Sequence, residues 1–320
     1  MSITGWGKKG RIRELFIFGI GNKNTIRENL PTMTENRNSY PVSDTAALVM
    51  LWASGYYETK PLIGTYLREL DLSAGRELLE RYNSICPWYS EVIINRKHFI
   101  KNTVEALAGN NEKQTIIVNL GAGFSPLALE LSPLLCDRIH FIEIDIRNMS
   151  RKHDLYSELV PDRCRFISGI EADIAETAGL KETLLNEMGD PARTRLIVVM
   201  EGLTYYIGRT AMERVLECLS GLAPDLSIVF EHLKPCGLIS DERRFIPYGI
   251  FSHIRDYTTL DRMTTYSEND IRAIMGSSFS LIYYDMDEME RRRTGFCRYF
   301  QAPDSGWLSC AVAIRRSVTG

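Results

Sequence analysis

The pattern of apolar and polar positions changes character once along this chain. From Ser43-Asp44, which reads as a helix N-cap, apolar residues recur at helical spacing through Ala46–Trp52, then around Ile63–Leu70, Gly75–Tyr82 and Glu91–Leu107. Short, continuous apolar runs then take over, at Thr115–Leu120, Ile139–Ile144, Arg165–Ser168, Arg195–Met200 and Leu226–Glu231. Runs of this kind mark strands buried on both faces. Helical patterns lie between them at Leu127–Leu131, Asn148–Leu159, Leu180–Met188 and Arg209–Leu222. Strands separated by helices of this length need right-handed crossovers, and so predict a parallel sheet covered on both sides.

After Pro235 the alternation lapses, in a stretch that holds Arg243, Arg244, Phe245, Tyr248 and Arg255. A capping box at Ser267-Glu268-Asn269-Asp270 then opens a helix over Ile271–Met275, and late strands follow at Ser280–Asp285 and Trp307–Ile314. The expected fold is α/β: a mostly parallel, seven-stranded, Rossmann-like sheet with helices on both faces. Its expected parts are a flexible leader (1–40) and one domain spanning 41–320. Within the domain are a helical N-terminal cap or lid (41–112), a ligand-binding core (113–235), an insert after the fifth strand (236–266) and the C-terminal part of the sheet (267–320).

Charge narrows the partners. A net charge of −3 supplies no general attraction for nucleic acid or anionic lipid. The seven cysteines are scattered without metal-ligand spacing and read as reduced cytosolic thiols. The bases Lys8, Lys9, Arg11 and Arg13 before Leu15–Ile20 imitate a signal peptide, but that apolar run is short and interrupted by Gly19. No run is long enough for a transmembrane helix, so a cytoplasmic protein is expected.

In an open parallel sheet, ligands bind beyond the carboxyl ends of the strands, where the strand order reverses. There the first strand ends in Asn119-Leu120-Gly121-Ala122-Gly123, whose glycines allow a sharp turn and close approach to a ligand. Pro126 stands where a dinucleotide motif would carry its third glycine, which disfavours a pyrophosphate cradle. The next strand ends Glu143-Ile144-Asp145, followed by Ile146. A carboxylate at this position can accept hydrogen bonds from ribose hydroxyls, and Asp145 lies nearer the crevice than Glu143. The alternative for it is a solvated strand end or a helix cap. Glu201 and Gly202 follow the fourth strand, beside Tyr205 and Tyr206. An acid there can face a positive group, or can merely cap, with the tyrosines packing in the core.

The runs Ile94–Ile100 (INRKHFI), Ile117–Gly123 (IVNLGAG), Glu143–Asp145 (EID) and Glu201–Ile207 (EGLTYYI) resemble, in that order, the leucine carboxyl methyltransferase family. That family methylates carboxylates, including the C-terminal leucine of a protein phosphatase catalytic subunit, and a related branch modifies a tRNA base. The resemblance implies a class I methyltransferase using S-adenosylmethionine, with S-adenosylhomocysteine as product. It implies that Arg96 grips the cofactor's carboxylate and that Gly121, within Asn119–Gly123, lies against its methionine and ribose parts. Asp145 would hold the ribose, Asp173 and Ile174 would flank the adenine, and Glu201 would face the reacting centre. The acceptor would be a carboxylate of a small metabolite or peptide end, anchored by Arg243, Arg244 or Arg255 with Tyr206 as hydrogen-bond donor. One departure stands out: many members carry G-A-G-x-D-T, where this chain has Phe124-Ser125-Pro126.

Overall fold

Five central strands carry the apolar runs and set the frame for everything else. They are β1 (Gln114–Leu120), β2 (Ile139–Asp145), β3 (Ile167–Glu171), β4 (Thr194–Met200) and β5 (Asp225–Leu233), joined later by β6 (Phe279–Asp285) and β7 (Leu308–Arg315). The computed structural model describes residues 40–109, 113–254 and 263–316, all within the compact unit Asn38–Gly320. Apart from Tyr40, the expected leader lies outside the described residues, as does Arg255. The strands form one seven-stranded sheet in the order β3-β2-β1-β4-β5-β7-β6. The first five are mutually parallel, and β7 runs antiparallel to both its neighbours.

Alternation along the strands divides the core into two layers. Ile117, Phe141, Ile197, Val199 and Val229 face the N-terminal helices α1 (Asp44–Tyr57), α2 (Pro61–Arg68), α3 (Arg76–Ile85) and α4 (Tyr89–Ala108). The same layer takes in α5 (Leu127–Glu130), which follows β1, and α6 (Met149–Leu159) and α7 (Pro161–Cys164), which follow β2. Ile116, Val118, Leu120, Ile142, Ile144 and Val198 point the other way, packing with α8 (Thr177–Met188) and α9 (Arg209–Ser220). Both faces are therefore apolar, which is why the strands read as unbroken hydrophobic runs.

The elements depart from the sequence reading in several places, one being Leu70, which leaves the helix and pairs as a short strand with Tyr40. The third strand starts at Ile167 instead of Arg165, because the turn of α7 extends through Cys164 and the Phe166 N–H still bonds back to Arg163 O. The insert contains helix α10 (Phe245–Ile254). Its periodicity was masked by an apolar run that turns Ile246, Ile250 and Ile254 inward while leaving Phe245 and Tyr248 exposed. Helix α12 (Met286–Thr294) follows β6 and was hidden by charge, since only Met286 and Met289 mark its apolar face. The capping box opens α11 (Glu268–Met275) as expected, with Asp270 N donating to Ser267 Oγ at 3.1 Å. Ser43 holds the N-cap position of α1 but makes no side-chain capping bond. Among the described residues no helix is long and apolar enough to cross a membrane.

Candidate active site

The order of strands reverses beside β1, so β1 and β4 leave a crevice above their carboxyl ends. Three left-handed glycines build its floor. Gly121 (φ 66°) and Gly123 (φ 44°) turn the chain out of β1, and Gly202 (φ 70°) turns it out of β4. At Gly121 a Cβ would come within 2.9 Å of Leu203 Cδ1, so the two loops close on each other there. Helix α1 and the residues before it roof the crevice through Val42, Ala46, Val49 and Met50, enclosing a cavity of about 600 Å³. That volume lies within the range of small-molecule and cofactor pockets.

Asp145 stands at one end, on the tip of β2. Its Oδ2 accepts from Gly123 N at 2.8 Å and its Oδ1 from Ile146 N at 2.7 Å. The carboxylate thus ties its own loop to the glycine turn, and each oxygen retains capacity for another donor. Beside it Ile146 is 63% exposed, an apolar platform at the rim. Asn148, left-handed at φ 69°, and Arg147 complete this end.

Buried charge occupies the opposite end. Arg96, only 2% exposed, projects from α4. Its Nε donates to Glu201 Oε1 at 3.1 Å and its Nη1 to Glu231 Oε1 at 3.0 Å, while Nη2 lies 3.0 Å from Glu201 Oε1 as an ion pair. Lys97 Nζ meets the same Glu201 Oε1 at 2.9 Å. Glu231 Oε1 also accepts from Gly202 N at 2.7 Å, so the charged group pins the β4 turn. Burial alone would raise the Glu201 pKa, but Lys97 and Arg96 outweigh it and bring the carboxyl down to about 2. Burial dominates at Glu231 and pushes its carboxyl upward against the pull of Arg96.

A second ion pair underlies the glycine loop. Lys152 Nζ donates to Glu143 Oε1 at 2.8 Å, both fully buried, with Tyr156 Oη on the same oxygen at 3.4 Å. Tyr66 Oη donates to Phe124 O at 3.0 Å, and Tyr156 Oη lies 3.5 Å from Ser125 O. Two tyrosines from α2 and α6 therefore hold the carbonyls of the segment that departs from the G-A-G-x-D-T pattern.

Of the residues singled out from sequence, the cavity gathers Arg96, Gly121, Ala122, Gly123, Asp145, Ile146, Glu201, Gly202 and Tyr206. It does not gather the rest. Glu143 is turned into its ion pair with Lys152. Asn119 is buried in β1, and neither atom of its amide has a protein partner. Asp173 forms a local turn through Ala175 N at 2.9 Å, and Ile174 is buried in the core against α8. Arg243 lies over the Trp88 ring and donates to Tyr299 O, while Arg244 donates to Ile239 O and pairs with Asp241. Neither guanidinium lines the cavity: Arg243 is held by Tyr299 O and the Trp88 ring, and Arg244 by Ile239 O and Asp241 within the insert itself.

Sequence reasoning missed Lys97 and Glu231. The available signal was indirect. LSIVFE ends on an acid just as RLIVVM-E does, and INRK sets three polar residues in a row on a helix whose other residues are largely apolar. All three, Asn95, Arg96 and Lys97, prove buried.

This sheet order, with a glycine turn at its switch point and an acid on the neighbouring strand tip, defines a class I, Rossmann-like methyltransferase fold. A candidate methyltransferase from Thermobifida fusca YX shares it with a TM-score of 0.61 at 13% identity, over 86% of this chain and 96% of that one. A DUF574 family protein from Streptomyces avermitilis MA-4680 gives 0.62 at 12% identity, over 86% and 98%. No curated protein matches the sequence. The leucine carboxyl methyltransferase family model matches residues 34–220, more than half of the chain, and the protein belongs to that family.

Proposed function

We propose that the protein is an S-adenosylmethionine-dependent O-methyltransferase whose acceptor is a carboxylate of a small metabolite or peptide end. Family membership supports the methyl donor, and the cavity suits it at both ends. Asp145 offers acceptor capacity for ribose hydroxyls, Ile146 an apolar surface for the adenine, and Arg96 with Lys97 positive charge for the methionine carboxylate. Gly121 and Gly202 keep the floor free of side chains, which admits an extended ligand. When bound, S-adenosylmethionine supplies a methyl group on a positively charged sulfur.

The observation that carries the acceptor class is the absence of a base. Among the described residues lining the cavity, the acids are Asp145, bound to two backbone N–H groups, and Glu201, held by two cations. With a pKa brought to about 2, Glu201 is a poor proton acceptor at neutral pH. Tyr206 is raised above its ordinary range, chiefly by burial, so its hydroxyl donates and does not abstract. A carboxylate arrives already deprotonated and needs alignment and exclusion of water more than proton transfer. Val42, Val49, Met50 and Phe124 supply the dry wall, and Tyr206 the hydrogen bond.

The test is incubation with methyl-tritiated S-adenosylmethionine and cell extract separated into metabolite, peptide and RNA fractions. Label in a metabolite or peptide fraction that mild base releases as methanol is the expected outcome, because methyl esters are base-labile. Label held stably in RNA, or incorporated nowhere, contradicts the reading.

A further inference from the structure

A second cavity, of about 760 Å³, lies at the end of the sheet opposite the crevice. Its lining comes from the amino ends of the central strands, with Lys113 just before β1, Arg195 in β4 and Asp225 opening β5. Because β7 runs antiparallel to β5, with Ile314 opposite Ser227, its last residue Arg315 and the following Arg316 return to the same end. Four cations thus face one acid, Asp225, among the described residues lining this cavity, in a chain where acids outnumber bases 41 to 38. Asp225 is already shared: Lys113 Nζ meets its Oδ2 at 2.8 Å and Arg195 Nε its Oδ1 at 3.3 Å. Backbone carbonyls tether the guanidinium groups further, Arg195 Nη1 donating to Leu107 O at 3.0 Å and Arg315 Nη1 to Ala223 O at 3.0 Å and to Ser220 O. These contacts fix both planes but leave Arg195 Nη2, and Arg315 Nε and Nη2, donating to no group among the described residues. Arg316 is exposed and pairs with no acid among them.

We propose that this basic cavity binds a small molecule carrying two or more linked phosphate groups, at a site separate from the methyl-donor crevice. The donor set fits that chemistry. A guanidinium fork matches two oxygens of one phosphate, and an ammonium meets phosphate as a point charge. The cations are tethered as two groups, Lys113 with Arg195 on Asp225 and Arg315 on the carbonyls at and after the end of α9, so one phosphate leaves part of the set unmatched. Their arrangement is preorganised, since the tethers already restrict the long side chains that a ligand would otherwise have to order. The Lys113 and Arg195 side chains, 48% and 28% exposed, stay in contact with water and need no buried counter-charge to persist without a ligand. The inference does not depend on the identity of the methyl donor or acceptor.

The experiment is calorimetry on the full chain in about 0.15 M salt, with inorganic tripolyphosphate, ATP, citrate and a single-stranded RNA hexamer as probes. Tripolyphosphate should bind with a Kd below about 1 mM, and citrate at least about fivefold more weakly. Tighter binding of ATP than of tripolyphosphate identifies a nucleotide as the source of the phosphates, and equal binding identifies the phosphate chain alone; either outcome supports the site. In Arg316→Gln and Lys113→Gln, both at exposed positions, tripolyphosphate affinity should fall at least about fivefold, and in the double variant further still. No binding of tripolyphosphate or ATP up to about 1 mM, or unchanged affinity in both variants, overturns the proposal. So does citrate or the RNA hexamer binding more tightly than tripolyphosphate, which would make the cavity a carboxylate site or a nucleic-acid contact.

Discussion

The two ends of the cavity are built in opposite ways. At the Asp145 end, binding capacity comes from local backbone: a strand tip, a glycine turn on the next strand and two N–H groups bonded to one half-exposed carboxylate. At the Arg96 end it comes from side chains far apart in sequence, with Arg96 separated by 105 residues from Glu201 and by 135 from Glu231. The first end keeps its charge in contact with water. The second has removed two cations and two acids from it, and such a group persists only if every member keeps its partners. The contrast predicts that substitution at the Asp145 end leaves stability nearly unchanged, whereas removing Arg96 disturbs the fold.

The sharpest way to break this comparison is Arg96→Met. Removing the tie leaves Glu231 without its cation in the interior, and should cost roughly 3 to 5 kcal/mol in a urea unfolding titration. Stability unchanged within about 1 kcal/mol would show the cluster to be ordinary surface charge.

A pH series probes a second buried titratable group, His232, which follows Glu231 on β5 but faces the other side of the sheet against Tyr266 and Tyr283. Burial lowers its pKa from 6.5 to about 4. A base with a depressed folded pKa contributes stability that is complete above 6.5 and lost as pH falls toward 4. The expected loss across that window is roughly 3 kcal/mol. In His232→Gln, unfolding free energies measured between pH 7 and 4 should show a much flatter slope; an equally steep slope would assign the loss to other groups.

Gly121→Ala tests the floor between the ends. Its left-handed φ of 66° costs an alanine roughly 1 to 2 kcal/mol, and the new methyl pushes on Leu203. Thermal unfolding should register this, together with a weaker S-adenosylhomocysteine affinity. The smallest stability effect belongs to Asp145→Asn, with a change within about 0.5 kcal/mol because the site reaches water. Its affinity for S-adenosylhomocysteine should nonetheless drop about tenfold, since one charged acceptor is lost. A large unfolding penalty here would erase the distinction between the ends.

The same contrast explains what could be read before the structure. The sheet was legible because its strands are buried on both faces, and the placement of Gly121, Gly123 and Asp145 at the crevice was legible because it follows from position at a strand end. Lys97 and Glu231 were not, since nothing local to either predicts a partner across the core. Glu143 was legible as an acid but not by role: Lys152, on the following helix, turns it away from the crevice. Arg243 and Arg244 stand away from the cavity for a related reason, as a run of bases on an insert does not reveal that Tyr299 O and Ile239 O will claim them.

The central claim is that one methyl donor spans the cavity from Asp145 to the Arg96 and Lys97 cations. A crystal structure of the protein soaked with S-adenosylhomocysteine tests it most directly. The account predicts density for ribose on Asp145, adenine beside Ile146 and the carboxylate at the Arg96 and Lys97 cations. Density for the ligand outside this cavity, or in the reverse direction within it, would contradict it.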